Sequence, residues 1–164
     1  MAKNILVTAC LPAEVVALMR REHEVEVNEK PAPMEREHLL ARLSDKQGLL
    51  CTITDRVDPE LLEKAPRLEM IANYGVGYDN IDLDAVSRRG IPVSNTPDVL
   101  TEATAEIAFG LLLAVARRMV EGDRRVREGR FGNWTPMGFL GTEVSGKTLG
   151  VVGLGRIGAA VARR

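Results

Sequence analysis

Lys147-Thr148-Leu149-Gly150-Val151-Val152-Gly153-Leu154-Gly155-Arg156-Ile157-Gly158 is the stretch that decides how the chain is read. Lys147 to Val152 has the pattern of a strand, and it runs directly into Gly-x-Gly-x-x-Gly before a helix opens over Ala159 to Arg164. Glycines at this spacing are common, but a strand before them and a helix after them is the setting of a dinucleotide fingerprint. The chemistry accounts for the spacing. Gly153 makes the tight turn, Gly155 lets a pyrophosphate approach the backbone, and Gly158 allows close packing of the helix. Free N–H groups at the helix start would hold the pyrophosphate, aided by the helix dipole. The less specific reading is a ligand-free strand-to-helix turn, which the flanking elements disfavour. A Walker A loop is excluded, because Ala159 and Ala160 stand where Lys and Ser or Thr would be required. The acidic residue or Arg that would separate NAD from NADP falls about twenty residues further on, after Arg164.

Toward the N-terminus the chain alternates between short apolar runs and amphipathic ones. Strands are expected at Asn4–Thr8, His23–Asn28, Gly48–Thr52, Leu68–Ala72 and Ile91–Ser94. Helices are expected at Leu11–Arg21, Glu35–Leu43, Pro59–Lys64 and Asp82–Arg89, the last stopped by Gly90. Such alternation predicts a parallel sheet covered on both faces, in an α/β chain with a flavodoxin-like open parallel-sheet domain. The second part is read as the start of a Rossmann NAD(P)-binding domain. One long helix is expected from Thr101 to about Arg127, with Glu102 and Glu106 early and Arg117 and Arg118 later, as the dipole favours. Gly110 inside it suggests close packing. Gly129 to Val144 reads as a loop. The expected division is residues 1–98 and residues 99–164.

The 164 residues carry a net charge of -1, which gives no reason to expect a nucleic-acid partner. Arg124, Arg125, Arg127 and Arg130 are interleaved with Glu121, Asp123 and Glu128, the pattern of a solvated face. Cys10 and Cys51 form no CxxC pair, and no metal-ligand cluster is visible. The N-terminus lacks the pattern of a signal peptide, and Ile107–Ala116 is too short to span a bilayer, so a cytoplasmic, non-membrane protein is expected. His23 and His38 have no partner arrangement suited to catalysis. Asn73-Tyr74-Gly75-Val76-Gly77-Tyr78-Asp79-Asn80-Ile81-Asp82 follows a strand and precedes a helix. Its N–H groups could form an anion nest for a small carboxylate, or the segment could be a ligand-free loop; the residues alone favour neither. Asp79 and Asp82 are expected to cap the helix that follows.

Together these motifs resemble the D-isomer-specific 2-hydroxyacid dehydrogenase family over essentially the whole chain. NYGVGYDNID looks like its substrate loop. NTPDVLTEATAEIAFGLLLAVARR looks like the crossing into the cofactor domain, and GKTLGVVGLGRIG like its fingerprint. The wording is closest to the glyoxylate/hydroxypyruvate reductase (glycerate dehydrogenase) branch. The resemblance implies that residues 1–98 are the substrate domain and that residues 99–164 open the cofactor domain. It implies that Val76 and Gly77 bind the substrate carboxylate through their N–H groups, and that Thr104 contacts the cofactor near its nicotinamide. Gly153, Leu154, Gly155, Arg156, Ile157 and Gly158 would bind NAD or NADP.

The activity implied is hydride transfer to a small 2-keto acid, with a homodimer formed through the second domain and the long helix. Trp134 is a match to a tryptophan that reaches toward the partner's site in some members. The family's catalytic Arg, Glu and His lie after the fingerprint, so no catalytic residue is assigned here and the chain alone is expected to be inactive. Phosphoglycerate, formate and D-lactate dehydrogenases, a corepressor-like NAD sensor and a non-enzymatic truncated product remain alternatives. A strand of an open sheet needs neighbours, so Lys147–Arg164 is expected to fray or to lean on another chain.

Overall fold

The computed structural model describes residues 1–164, which divide into two compact units, Met1–Pro97 and Asp98–Arg164. In the first unit, β1 (Asn4–Val7), α1 (Ala13–Arg20), β2 (Glu24–Val27), α2 (Arg36–Ala41) and β3 (Gly48–Thr52) are followed by α3 (Pro59–Lys64), β4 (Met70–Tyr74), α4 (Leu83–Arg88) and β5 (Val93–Ser94). All pairings are parallel and the strand order is β2-β1-β3-β4-β5, the flavodoxin-like order. Leu6 stands beside Leu49, and Leu49 beside Ile71, so apolar side chains form a continuous row across the sheet.

Crossover handedness decides which face each helix covers. The first connection runs from β1 to β2, and the later ones run the opposite way across the sheet. Right-handed crossovers then place α1 on one face and α2, α3 and α4 on the other. The main core lies under those three helices. Leu39 and Leu43 from the α2 region, Leu61 and Leu62 from α3, and Ala85 and Val86 from α4 close over Leu49, Cys51 and Ile71. Each large side chain buried there contributes roughly 1.5–3 kcal/mol. The expectation of full cover on both faces is only partly met. On the α1 face, Ile5, Leu50, Met70 and Ala72 border an open cleft of about 460 Å³, and Met70 stays 47% exposed.

Local signals set the helix ends. Asp58 accepts a hydrogen bond from the Leu61 N–H at 3.0 Å, with Pro59 in the first turn of α3. Asp82 accepts from the Ala85 N–H at 2.9 Å and caps α4, whereas Asp79 makes no such bond. Gly90 ends α4 with φ +66°, a conformation that favours glycine.

In the second unit the expected single helix is two: α5 (Thr101–Ala116) and α6 (Met119–Arg127). Arg118 breaks the run in the left-handed conformation, φ 55°. Its guanidinium donates to Glu121 and to the Leu140 carbonyl and lies 4.2 Å from the Phe139 ring centroid. The loop returning to the α5–α6 junction therefore sets the bend, a long-range contact that periodicity along α5 does not encode. Gly110 has open space where a Cβ would stand, so no close packing within this chain explains it.

Lys147–Val152, expected as a strand, pairs with nothing and is not a strand here. A strand needs a ladder partner, and this unit offers none. The next segment is ordered against its own unit rather than frayed: α7 (Arg156–Arg163) packs on α5, with Ala105 and Ala160 both fully buried. Arg164 and Arg163 bind Glu102 at 2.8 and 3.2 Å, and hydrogen bonding from Arg164 foremost holds the Glu102 carboxyl below its usual value.

Asp58 gives a pH test of the first unit. Burial alone would raise its pKa, but the Leu61 N–H and the Arg36 guanidinium, 2.6 Å away, outweigh it and hold the carboxyl below its usual value. A carboxyl depressed in the folded state stabilises the fold above its unfolded pKa of about 3.9, and that contribution is lost as pH falls through the depressed value. Urea unfolding should find Asp58→Asn less stable than the parent by up to about 1 kcal/mol at neutral pH, with the two curves converging in acid.

Candidate functional site

The carboxyl ends of the parallel strands are where an open α/β sheet presents its loops to a ligand. The loop after β4 stands there. Its three successive carbonyls are all engaged. The Gly75 oxygen accepts from the Thr96 N–H at 3.0 Å, the Val76 oxygen from Asn95 Nδ2 at 2.9 Å, and the Gly77 oxygen from Asn73 Nδ2 at 2.7 Å. The N–H groups of Val76 and Gly77 carry no hydrogen bond within the chain. A Cβ at Gly75 would overlap Ile53 Cγ2, so a side chain there would force Ile53 to move. Consecutive unpaired amides on a partly exposed loop form a concavity of positive partial charge suited to a small anion.

Behind the loop lies a buried polar layer that the sequence reading missed. Asn73, 2% exposed, accepts from Asn80 Nδ2 at 3.3 Å, and Asn80 also donates to the Asp55 carbonyl at 2.9 Å. The buried Asp55 carboxylate accepts from the Thr8 hydroxyl at 2.6 Å and from the Thr52 N–H at 2.8 Å. Thr8, Thr52 and Asn73 end or follow adjacent strands, so register brings together residues far apart in the chain. The only sequence signal was asparagine beside glycine at a strand end, which marks turns in general. Burial, with the Asp55 charge second, pushes the Cys51 thiol up to about 12.

The two histidines stand away from this loop. His23 precedes β2, at the amino edge of the sheet, where its Nδ1 accepts from the Lys3 N–H, and His38 lies on α2, 3.8 Å from Glu35. No group of three or more His, Cys, Asp or Glu side chains could hold a metal ion.

In the second unit the glycine turn is formed by one positive-φ residue and one close approach. Gly153 has φ +90°, which only glycine adopts without strain, and a Cβ on Gly158 would overlap the Gly153 carbonyl oxygen. The third glycine thus closes the turn on itself here, rather than packing helix on sheet as the sequence suggested. Gly155, at the N-cap of α7, has open space around it, and no side chain caps the helix. The N–H groups of Leu154 to Ile157 carry no hydrogen bond within the chain, as a phosphate cradle requires. The Arg156 side chain is held by Asp98 at 2.7 Å. Thr104 is exposed on α5, and Trp134 is 82% exposed in the loop after α6.

A flavodoxin-like sheet with an amide-lined loop at its carboxyl edge, followed in the chain by a glycine turn and helix, defines a two-part α/β class. The family described as D-isomer specific 2-hydroxyacid dehydrogenase, catalytic domain, matches residues 5–160, and the chain belongs to it. It is 49% identical over 168 residues to glyoxylate reductase of Pyrococcus furiosus and 48% over 170 residues to that of Pyrococcus horikoshii. Each alignment covers 100% of this chain and 50% of the relative, so the chain spans about half the length of the curated relatives it matches. Among solved structures, a Thermus thermophilus protein superposes with a TM-score of 0.93 at 46% identity, covering 98% of this chain and 51% of that one. The NADPH-dependent glyoxylate/hydroxypyruvate reductase of Sinorhizobium meliloti, in complex with NADP and malonate, gives 0.77 at 33%, covering 99% and 50%.

Two measurements check the geometry. Titration with a thiol reagent should find Cys10, which is exposed, reacting in the native chain, and the buried Cys51 reacting only after denaturation. Gly158→Ala should loosen the turn at a cost of about 1–3 kcal/mol, read as lost amide-exchange protection in α7 with the first unit unchanged.

Proposed function

We propose that this chain is part of an NAD(P)-dependent 2-hydroxyacid dehydrogenase that works as a glyoxylate/hydroxypyruvate reductase. The observation that carries this reading is the pair of unpaired amides at Val76 and Gly77, aimed away from carbonyls that are all tied back. The relatives named glyoxylate reductase support the substrate class, a small 2-keto or 2-hydroxy acid.

In this reading residues 1–98 are the substrate domain. Residues 99–164 hold the interdomain helix, the loop and the first turn and helix of the cofactor domain. Val76 and Gly77 donate to the substrate carboxylate and so fix which face of the carbonyl carbon is presented. Gly153, Leu154, Gly155, Arg156, Ile157 and Gly158 hold the pyrophosphate of NAD or NADP, and Thr104 lies toward its nicotinamide. The free amides, the open space at Gly155 and the closed turn at Gly158 fit that group. When bound, the nicotinamide supplies the hydride.

No residue of this chain supplies the proton or clamps the carbonyl, so the chain alone turns over nothing. The protein works as a homodimer in the cytoplasm, joined through the second unit. Ile107, Leu111 and Val115, each at least 60% exposed on α5, support that contact. No helix is long and apolar enough to cross a membrane.

The test is glyoxylate-dependent oxidation of NADH and NADPH by this chain, beside a version extended to the relatives' length. Turnover by the extended form alone is the expected result, and the same traces give the preferred cofactor. Turnover by the 164-residue chain itself would place catalytic groups within it and overturn the assignment. Inactivity of both with glyoxylate and hydroxypyruvate would overturn the substrate class.

A further inference from the structure

We propose that Asn95 and Asn73 are positioning residues that set the direction of the Gly77 and Tyr78 amides, an inference that rests on reading this loop as the carboxylate site. The argument is one of peptide geometry. In a planar trans peptide the C=O of one residue and the N–H of the next point in opposite directions. Fixing the Val76 oxygen on Asn95 Nδ2, at 2.9 Å, therefore aims the Gly77 N–H the other way. Fixing the Gly77 oxygen on Asn73 Nδ2, at 2.7 Å, does the same for Tyr78, and the Thr96 N–H on the Gly75 oxygen, at 3.0 Å, does it for Val76. Three consecutive amides are thus presented together with no hydrogen bond of their own.

Anchors are needed because Gly75 and Gly77 flank the Val76 peptides. Glycine populates backbone conformations that other residues avoid, so an untethered peptide here would rotate readily and turn a carbonyl toward an anion. Asparagine suits the task where aspartate would not. The anchor must donate to a carbonyl, and an ionised carboxylate only accepts. The orientation of the Asn73 amide is itself fixed, because its oxygen accepts from Asn80 Nδ2 at 3.3 Å and from the Cys51 thiol at 3.6 Å. Asn95 arrives from the end of β5 and Asn73 from β4, so the aim of the nest depends on parallel pairing of those strands.

The experiment uses the ¹⁵N-labelled chain and oxalate, a non-reacting dicarboxylate probe. In the parent, the Val76, Gly77 and Tyr78 amide resonances should move on titration. Asn95→Ala, at a half-buried position, should keep the native spectrum elsewhere, bind oxalate about tenfold more weakly and lose the Gly77 response. Asn73→Ala, if it folds, should lose the Tyr78 response. A folded Asn95→Ala chain that binds within about twofold of the parent, with the Gly77 response intact, overturns the positioning role and leaves the carboxylate reading standing. A parent chain whose loop amides ignore oxalate overturns both.

Discussion

The right-handed crossover is the constraint from which the first unit follows. It places three helices on one face of the sheet and one on the other, so the main core forms on a single side. Burial of Leu49, Cys51 and Ile71 there fixes strand register, since a one-residue slip would turn that row to the opposite face. Register in turn sets Cys51 beside Asn73 and Thr52 beside Tyr74 at the carboxyl edge, with Thr8 just past the end of β1. The positions of the loop amides are thus a consequence of core packing, transmitted through the ladder.

The same edge keeps its buried polar groups paired. Asp55, Thr8, Thr52, Asn73 and Asn80 exchange hydrogen bonds, and no buried side-chain nitrogen or oxygen is left without a partner. A buried network is stabilising only when satisfied throughout, and here it also rigidifies the backbone that carries the loop. Cys51 is enclosed in it as an inert thiol, its pKa pushed up by burial and by the nearby carboxylate.

The second unit follows a different logic. It has no strand, and small residues together with a cluster of ion pairs hold it: Ala105 against Ala160, and Glu102 with Arg163 and Arg164. Those ion pairs are exposed, and pairs of that kind contribute little each. Helix packing through two alanines allows close approach of α5 and α7 and orders the glycine turn even though Lys147–Val152 has no ladder partner.

The sequence by itself determined the alternation of elements in the first unit, because each strand and helix carries its own period and its own stops. Pro59, Asp82 and Gly90 mark ends that the structure shows within a residue or two. It also determined the glycine turn, since only glycine suits the φ of Gly153 and the contact at Gly158. Tertiary structure alone decided the break at Arg118, which depends on Phe139 and the Leu140 carbonyl across a loop. It decided that Lys147–Val152 is not a strand, because a strand exists only in relation to another. It also decided the direction of the Val76 and Gly77 amides, because the groups that hold the carbonyls come from separate strands and no local pattern records which way a peptide plane faces.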